Sequence, residues 1–151
     1  MDQQRRFRKS LENHRDYVSD LLSRLIQIDT THGKEGDIQP LLQAELESLG
    51  LETQVQEIPE SLRSDPDYTA PEDPALFAGR PNVFGVRHGR GGPGKSLILN
   101  SHVDVVPAAA DWDDAFSGRV EGDVVHGRGA VDCKGQVVTI QIGRASCRER
   151  G

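Results

Sequence analysis

Apolar residues along the chain fall into two helical stripes, one alternating segment and two β-rich runs. Val18, Leu21, Leu22, Leu25 and Ile26 recur at intervals of three and four, predicting an amphipathic helix over roughly Leu11 to Ile28 that ends at Thr30-Thr31-His32-Gly33. Ile38, Leu41, Leu42, Leu46 and Leu49 predict a second helix, with Asp37 as N-cap, Pro40 in the first turn and Gly50 as its stop. Leu51 to Ile58 alternates as a half-buried strand does, and Asn82 to Arg87 and Ser96 to Val106 are further strand-like runs. Short strands at Gly118 to Glu121 and Val124 to His126 flank a turn at Glu121-Gly122-Asp123. After Asp132, the set Val137, Val138 and Ile140 opens another helix. This order predicts an α/β domain whose sheet is covered by helices. Pro59 to Pro81 holds five of the eight prolines and reads as an irregular surface loop, long enough to be a functional insertion.

Composition narrows the classes. At 151 residues there is room for one domain and one core. The net charge of −6 argues against a general nucleic-acid binder, which needs a basic surface. No apolar run is long enough for a membrane span, and the basic N-terminus lacks the apolar stretch of a secretory signal. Two cysteines, Cys133 and Cys147, are too few for a disulfide framework and suit a reducing cytoplasm. Ile142 to Gly151 (IGRASCRERG) abandons the apolar pattern and resembles the translation of a common sequencing-adapter read. The expectation is therefore native sequence over 1–141 and a non-native tail over 142–151. Without that tail the net charge would move from −6 to −8, and Cys147 would carry no functional meaning.

Two candidate chemistries meet between His88 and Pro107. Gly89 to Ser96 (GRGGPGKS) fits the phosphate-loop pattern G-x-x-x-x-G-K-[ST]. Such a loop works only when a helix follows, because the helix N-terminus and successive N–H groups hold the phosphates. Leu97, Ile98, Leu99, Val103, Val105 and Val106 instead form a β-rich run with no helical stripe. Gly91 to Gly94 therefore reads as a turn between strands, with Lys95 solvated. His102 and Asp104 are two apart, so a strand places both on one side, and the carboxylate can fix the tautomer of a metal-binding imidazole.

Those residues have company. "LILNSHVDVVP" (Leu97 to Pro107), then Trp112 and Phe116, then "GRGAVDCKG" (Gly127 to Gly135) resemble the di-zinc hydrolase family of acetylornithine deacetylase, succinyl-diaminopimelate desuccinylase, aminoacylase and carboxypeptidase G. The similarity spans nearly all of residues 11 to 141. It implies the N-terminal part of a three-layer α/β/α catalytic domain with a mixed sheet, truncated in this chain. It implies His102 as a zinc ligand, Asp132 as the carboxylate bridging both metals, and Asp104 in the catalytic machinery as the group orienting His102. The implied cofactors are two Zn²⁺, or Co²⁺ in their place. The implied reaction is metal-dependent amide hydrolysis of an N-acyl amino acid or small peptide, in a cytoplasmic enzyme with no nucleic-acid or membrane partner. The family's Glu-Glu pair with its general base, its later ligands and its lid domain all follow the bridging aspartate. The resemblance thus implies an inactive fragment of a parent that dimerises through the missing lid. A phosphate-loop domain and a non-catalytic relative stand as the alternatives.

The sequence departs from the family at Cys133, where methionine is usual, at Gln136, where a small residue is common, and at Ala115, where proline often stands. Cys133 is expected to point away from the metals and to pack as a small buried thiol. His126 reads as structural, and Arg128 and Lys134 as braces of the loop. Gly127, Gly129 and Gly135 would let the backbone turn tightly. His14, His32 and His88 read as surface histidines.

Overall fold

The computed structural model describes residues 3–69, 77–89, 91 and 94–148. Two helices, α1 (Gln3–Asn13) and α2 (Arg15–Ile26), occupy the region where the apolar stripe predicts a single helix from Leu11. The break falls at His14, whose backbone (φ −103°, ψ 8°) leaves the helical basin. Its N–H turns back to the Leu11 carbonyl at 3.1 Å, a tighter closure than the helical one. No proline or glycine marks this break, so periodicity could not reveal it.

The second predicted helix is α3 (Gln39–Ser48), entered through a 3-10 turn over Glu35–Ile38. Asp37 lies inside that turn and is not the N-cap; Ile38 takes that position without a side-chain cap. The entry is held instead by buried Gln39, whose Nε2 donates to the Glu35 carbonyl at 3.2 Å. Gly50 does stop the helix, at φ +73°. The Leu51 N–H reaches the Leu46 carbonyl and the Gly50 N–H reaches Glu47, which satisfies carbonyls the helix would otherwise leave free.

Strand β1 (Glu52–Gln56) pairs antiparallel with β2 (Asn82–Val86), Gln54 opposite Phe84. The intervening loop is well anchored where it is described. Phe77 is buried, with the Arg63 guanidinium 4.6 Å above its ring and Tyr68 edge-on at 5.7 Å. Arg80 makes a two-pronged pair with Glu35, both contacts at 2.7 Å, and the same carboxylate accepts the Gly33 N–H. β3 (Val120–Glu121) and β4 (Val124–Val125) form the expected hairpin, with Gly122 at φ +58° in its turn.

The core lies between α2, α3 and α4 (Lys134–Arg148): Leu21, Leu25, Ile38, Leu42 and Val138 are buried together, with Val103 packed against them. The domain is thus mixed α/β, but the described sheets are two separate antiparallel pairs, not the expected mixed sheet between helical layers. The difference centres on residues 96–106. This run is extended yet forms a single parallel bridge, Val105 to Thr31, because no described strand lies beside it. Leu97 and Ile98 are consequently 80% and 89% exposed. Among the described residues, no helix is long and apolar enough to cross a membrane.

Candidate metal centre

Thr30 sets the position of the first site residues. Its buried hydroxyl donates to the Val103 carbonyl at 2.5 Å, and its own carbonyl accepts the Val105 N–H at 3.1 Å. These bonds fix the alternation of the extended run. Val103 and Val105 turn toward the core, while His102 and Asp104 face outward together. The side-by-side placement expected of His102 and Asp104 is therefore present even without a full strand.

The turn carrying Asp132 is built against the same run. Gly129 sits at φ +82°, and a Cβ there would stand 2.7 Å from Val105 Cγ1. Gly127, at φ +147°, lies where a Cβ would meet Ile26 Cγ2 at 2.3 Å, and a Cβ on Gly135 would meet the Ala130 carbonyl at the same distance. The glycines of "GRGAVDCKG" thus let the backbone turn tightly against neighbouring side chains and, at Gly127 and Gly135, against neighbouring backbone. Lys134 begins α4 fully buried, its Nζ donating to the Ile28 carbonyl at 2.7 Å and its N–H to the Gly129 carbonyl. Burial lowers its pKa to about 8 against the opposing pull of Asp29. Arg128 lies over the Trp112 ring at 5.0 Å and donates to the Pro107 carbonyl at 3.3 Å. Both basic residues brace the loop.

The outcome is a convergence of side chains from segments thirty positions apart. His102 Nδ1 is 3.0 Å from Asp104 Oδ1, and His102 Nε2 is 3.1 Å from Asp132 Oδ1. Two ligands bound about 2.0–2.2 Å from one metal at a near-tetrahedral angle stand about 3.3–3.6 Å apart, so the Nε2–Oδ1 pair needs to open by only a few tenths of an ångström to share a cation. The imidazole has its other nitrogen on a carboxylate, the arrangement that orients metal-bound histidines. Cys133 departs from expectation. It is buried, but its Sγ does not point away: it lies within 4.8 Å of the ligand atoms of His102 and Asp132. The Asp132–Cys133 peptide is cis.

The remaining histidines stay outside this cluster. His126 Nε2 faces Glu121 at 3.4 Å and His88 Nε2 faces Glu52 at 3.4 Å. The phosphate-loop alternative fails on its structural requirement. Among the described residues no helix begins at Lys95, and residues 94–104 form neither helix nor strand and are largely exposed. Arg90, Gly92 and Pro93 of that motif lie outside the described residues.

Comparison with known proteins agrees with this geometry. Peptidase family M20/M25/M40 matches residues 98–143, a span holding His102, Asp104, Asp132 and Cys133. The succinyl-diaminopimelate desuccinylase of Gluconobacter oxydans is 32% identical over 128 residues, covering 84% of this chain and 29% of that protein. Family match and relative together support the M20 metallohydrolase family. Enzymes of the same name from Dinoroseobacter shibae and Methylobacterium sp. are 51% identical over 59 residues and 42% identical over 85. They align with 37% and 53% of this chain, and with 15% and 22% of their own lengths. The chain thus spans under a third of the M20 relatives it matches. Sequence reasoning missed the role of Thr30 in setting the His102 run and the nearness of the Cys133 sulfur to His102 and Asp132. A polar residue directly after the α2 stripe was the one available signal for Thr30.

Proposed function

We propose that the protein carries the metal-binding half of an M20-type amide hydrolase acting on N-acyl amino acids, N-succinyl ones foremost. The observation behind this reading is the His102 imidazole, held by Asp104 at Nδ1 and facing Asp132 at Nε2. The succinyl preference rests on the names of the relatives. Two divalent ions, Zn²⁺ or Co²⁺, would supply Lewis acidity at the scissile carbonyl and activate water.

The chain's own residues prepare that site. Asp104 accepts the Nδ1 proton and so keeps the Nε2 lone pair turned toward Asp132; it is a positioning residue. Asp132 has two oxygens and is well exposed, so it can serve two cations at once while offsetting their charge. Lys134 and Gly129 hold the Asp132 turn against the His102 segment.

Hydrolysis requires a general base, which contributes about 10²–10⁴-fold to such reactions. The family places that base beyond Asp132, and the 151-residue chain alone is accordingly proposed to bind metal without turning over substrate. Residues 142–151 are proposed to be non-native although the backbone of α4 runs on to Arg148. The parent is proposed to be a cytoplasmic homodimer.

Zinc titration calorimetry tests the site. Wild-type chain should bind, His102→Ala and Asp132→Ala should lose binding, and Asp104→Asn should weaken it about 10–100-fold. Unchanged binding in the first two variants would refute the assignment. Zinc-dependent release of amino acid from an N-succinyl substrate, abolished by His102→Ala, would overturn the inactivity of the chain alone.

A further inference from the structure

Two consecutive dipeptides face each other across the centre: Ser101-His102 from the extended run and Asp132-Cys133 from the turn before α4. His102 and Asp132 make one contact. Ser101 and Cys133 make the other, Oγ to Sγ at 3.0 Å. The sulfur also lies 2.9 Å from Gln136 Oε1.

We propose that Cys133 is a metal ligand, its thiolate completing a His102–Asp132–Cys133 set that favours softer divalent cations over magnesium and manganese. This rests on the metal-site reading above and goes beyond it, because a thiolate changes which metal the centre prefers.

The position of the sulfur, within 4.8 Å of the ligand atoms of His102 and Asp132, carries the argument. As it stands, the thiol gives its one proton to Gln136 Oε1 and can accept from the Ser101 hydroxyl. A thiolate has none, and both neighbours can then donate to it. The Ser101 hydroxyl rotates freely to do so, and the Gln136 amide presents its NH₂ after a half-turn about its last bond. Cys133 is thus cradled by groups that can stabilise a bound thiolate. Its sulfur, the His102 nitrogen and the Asp132 oxygen already lie within 4.8 Å of one another. A tetrahedral site with metal–sulfur about 2.3 Å and metal–nitrogen about 2.0–2.1 Å puts sulfur and nitrogen about 3.6 Å apart, so the sulfur has at most about 1.2 Å to close. On binding, the S–H bond breaks, its proton leaves to solvent and the sulfur lone pair forms the bond to the metal.

Cobalt reports the coordination directly. The reduced chain, carrying Cys147→Ser so that only one thiol remains, is titrated with Co²⁺ and followed by absorbance. Thiolate ligation gives an intense near-ultraviolet sulfur-to-cobalt charge-transfer band, whereas nitrogen and oxygen ligands give only weak visible bands. A near-ultraviolet band that saturates with cobalt and disappears on Cys133→Ser is the expected result. Affinity should also fall by about tenfold or more, as loss of a contributing ligand dictates. Visible bands without the near-ultraviolet one would overturn thiolate ligation and leave the metal centre standing. No cobalt-dependent absorbance at all would overturn both. Should Cys133→Ser fail to fold by far-ultraviolet circular dichroism, iodoacetamide labelling of Cys133 in the parent chain decides. Zinc should slow labelling at least about tenfold, and an unchanged rate would refute the ligand role.

Discussion

Replacing Gly129 by alanine tests how the site is held together. Two glycines, Gly129 at φ +82° and Gly33 at φ +90°, share nearly the same left-handed conformation. They differ in surroundings. A Cβ on Gly33 has nothing within 4 Å, whereas on Gly129 it meets Val105 Cγ1 at 2.7 Å and Lys134 Cδ at 3.3 Å. An L-residue in this region costs about 1–2 kcal/mol, so Gly33→Ala should destabilise by that amount alone. Gly129→Ala adds overpacking of about 1–3 kcal/mol, for a total of about 2–5 kcal/mol. Urea denaturation at constant m-value measures both, and the difference between the two variants isolates the contact. Trimming the partner should relieve it: Val105→Ala and Gly129→Ala should couple by about 0.5–3 kcal/mol in a double-mutant cycle. Equal losses for the two glycine variants, with no coupling to Val105, would show that the Asp132 turn does not press on the His102 segment.

Other perturbations probe separate links. Arg80→Ala leaves the Glu35 carboxylate, only 9% exposed, without its cation and should cost about 3–5 kcal/mol in chemical denaturation. Thr30→Val deprives the Val103 carbonyl of its buried partner and should cost about 1–3 kcal/mol, with metal affinity falling alongside. For Asp29, partial burial works to raise the pKa, but Lys34 and the Thr31 N–H and hydroxyl outweigh it and hold the group at about 2. A depressed carboxylate stabilises the fold above its ordinary pKa of 3.8 and loses that contribution as pH falls toward 2. Asp29→Asn should therefore flatten the acid side of the stability profile between those values, and an unchanged slope would contradict the pairing.

Local pattern made some of this molecule legible. The stripe from Val18 to Ile26, the Gly50 stop and the Gly122 turn each follow from residues within a few positions of one another. So does the outward pairing of His102 with Asp104, which needs only alternation. What escaped depends on distant partners. The Glu35–Arg80 pair and the Phe77 pocket organise a stretch that composition alone presents as irregular. Asp37 looks like a cap in sequence, yet Gln39 and Glu35 take over the helix entry through tertiary contacts. The Cys133 sulfur meets Ser101 from a segment thirty-two positions away, a contact no spacing rule encodes. Residues 96–106 have the composition of a strand, but a strand also needs a neighbour to bond to.

That last segment joins two properties in one short length of chain. Leu97, Ile98 and Leu99 form an exposed extended apolar edge, the shape on which intermolecular strands grow. His102 lies three residues beyond Leu99, and the described ties of this run to its surroundings include the bonds at Thr30 and Thr31, the packing of Val103 and the contact of Ser101 with Cys133. A cation shared by His102 and Asp132 would add a clasp across the thirty residues between them and restrain the adhesive edge beside it. Chelation would then have a colloidal consequence as well as a chemical one: stripping the metal would free the same segment to pair with another copy of itself.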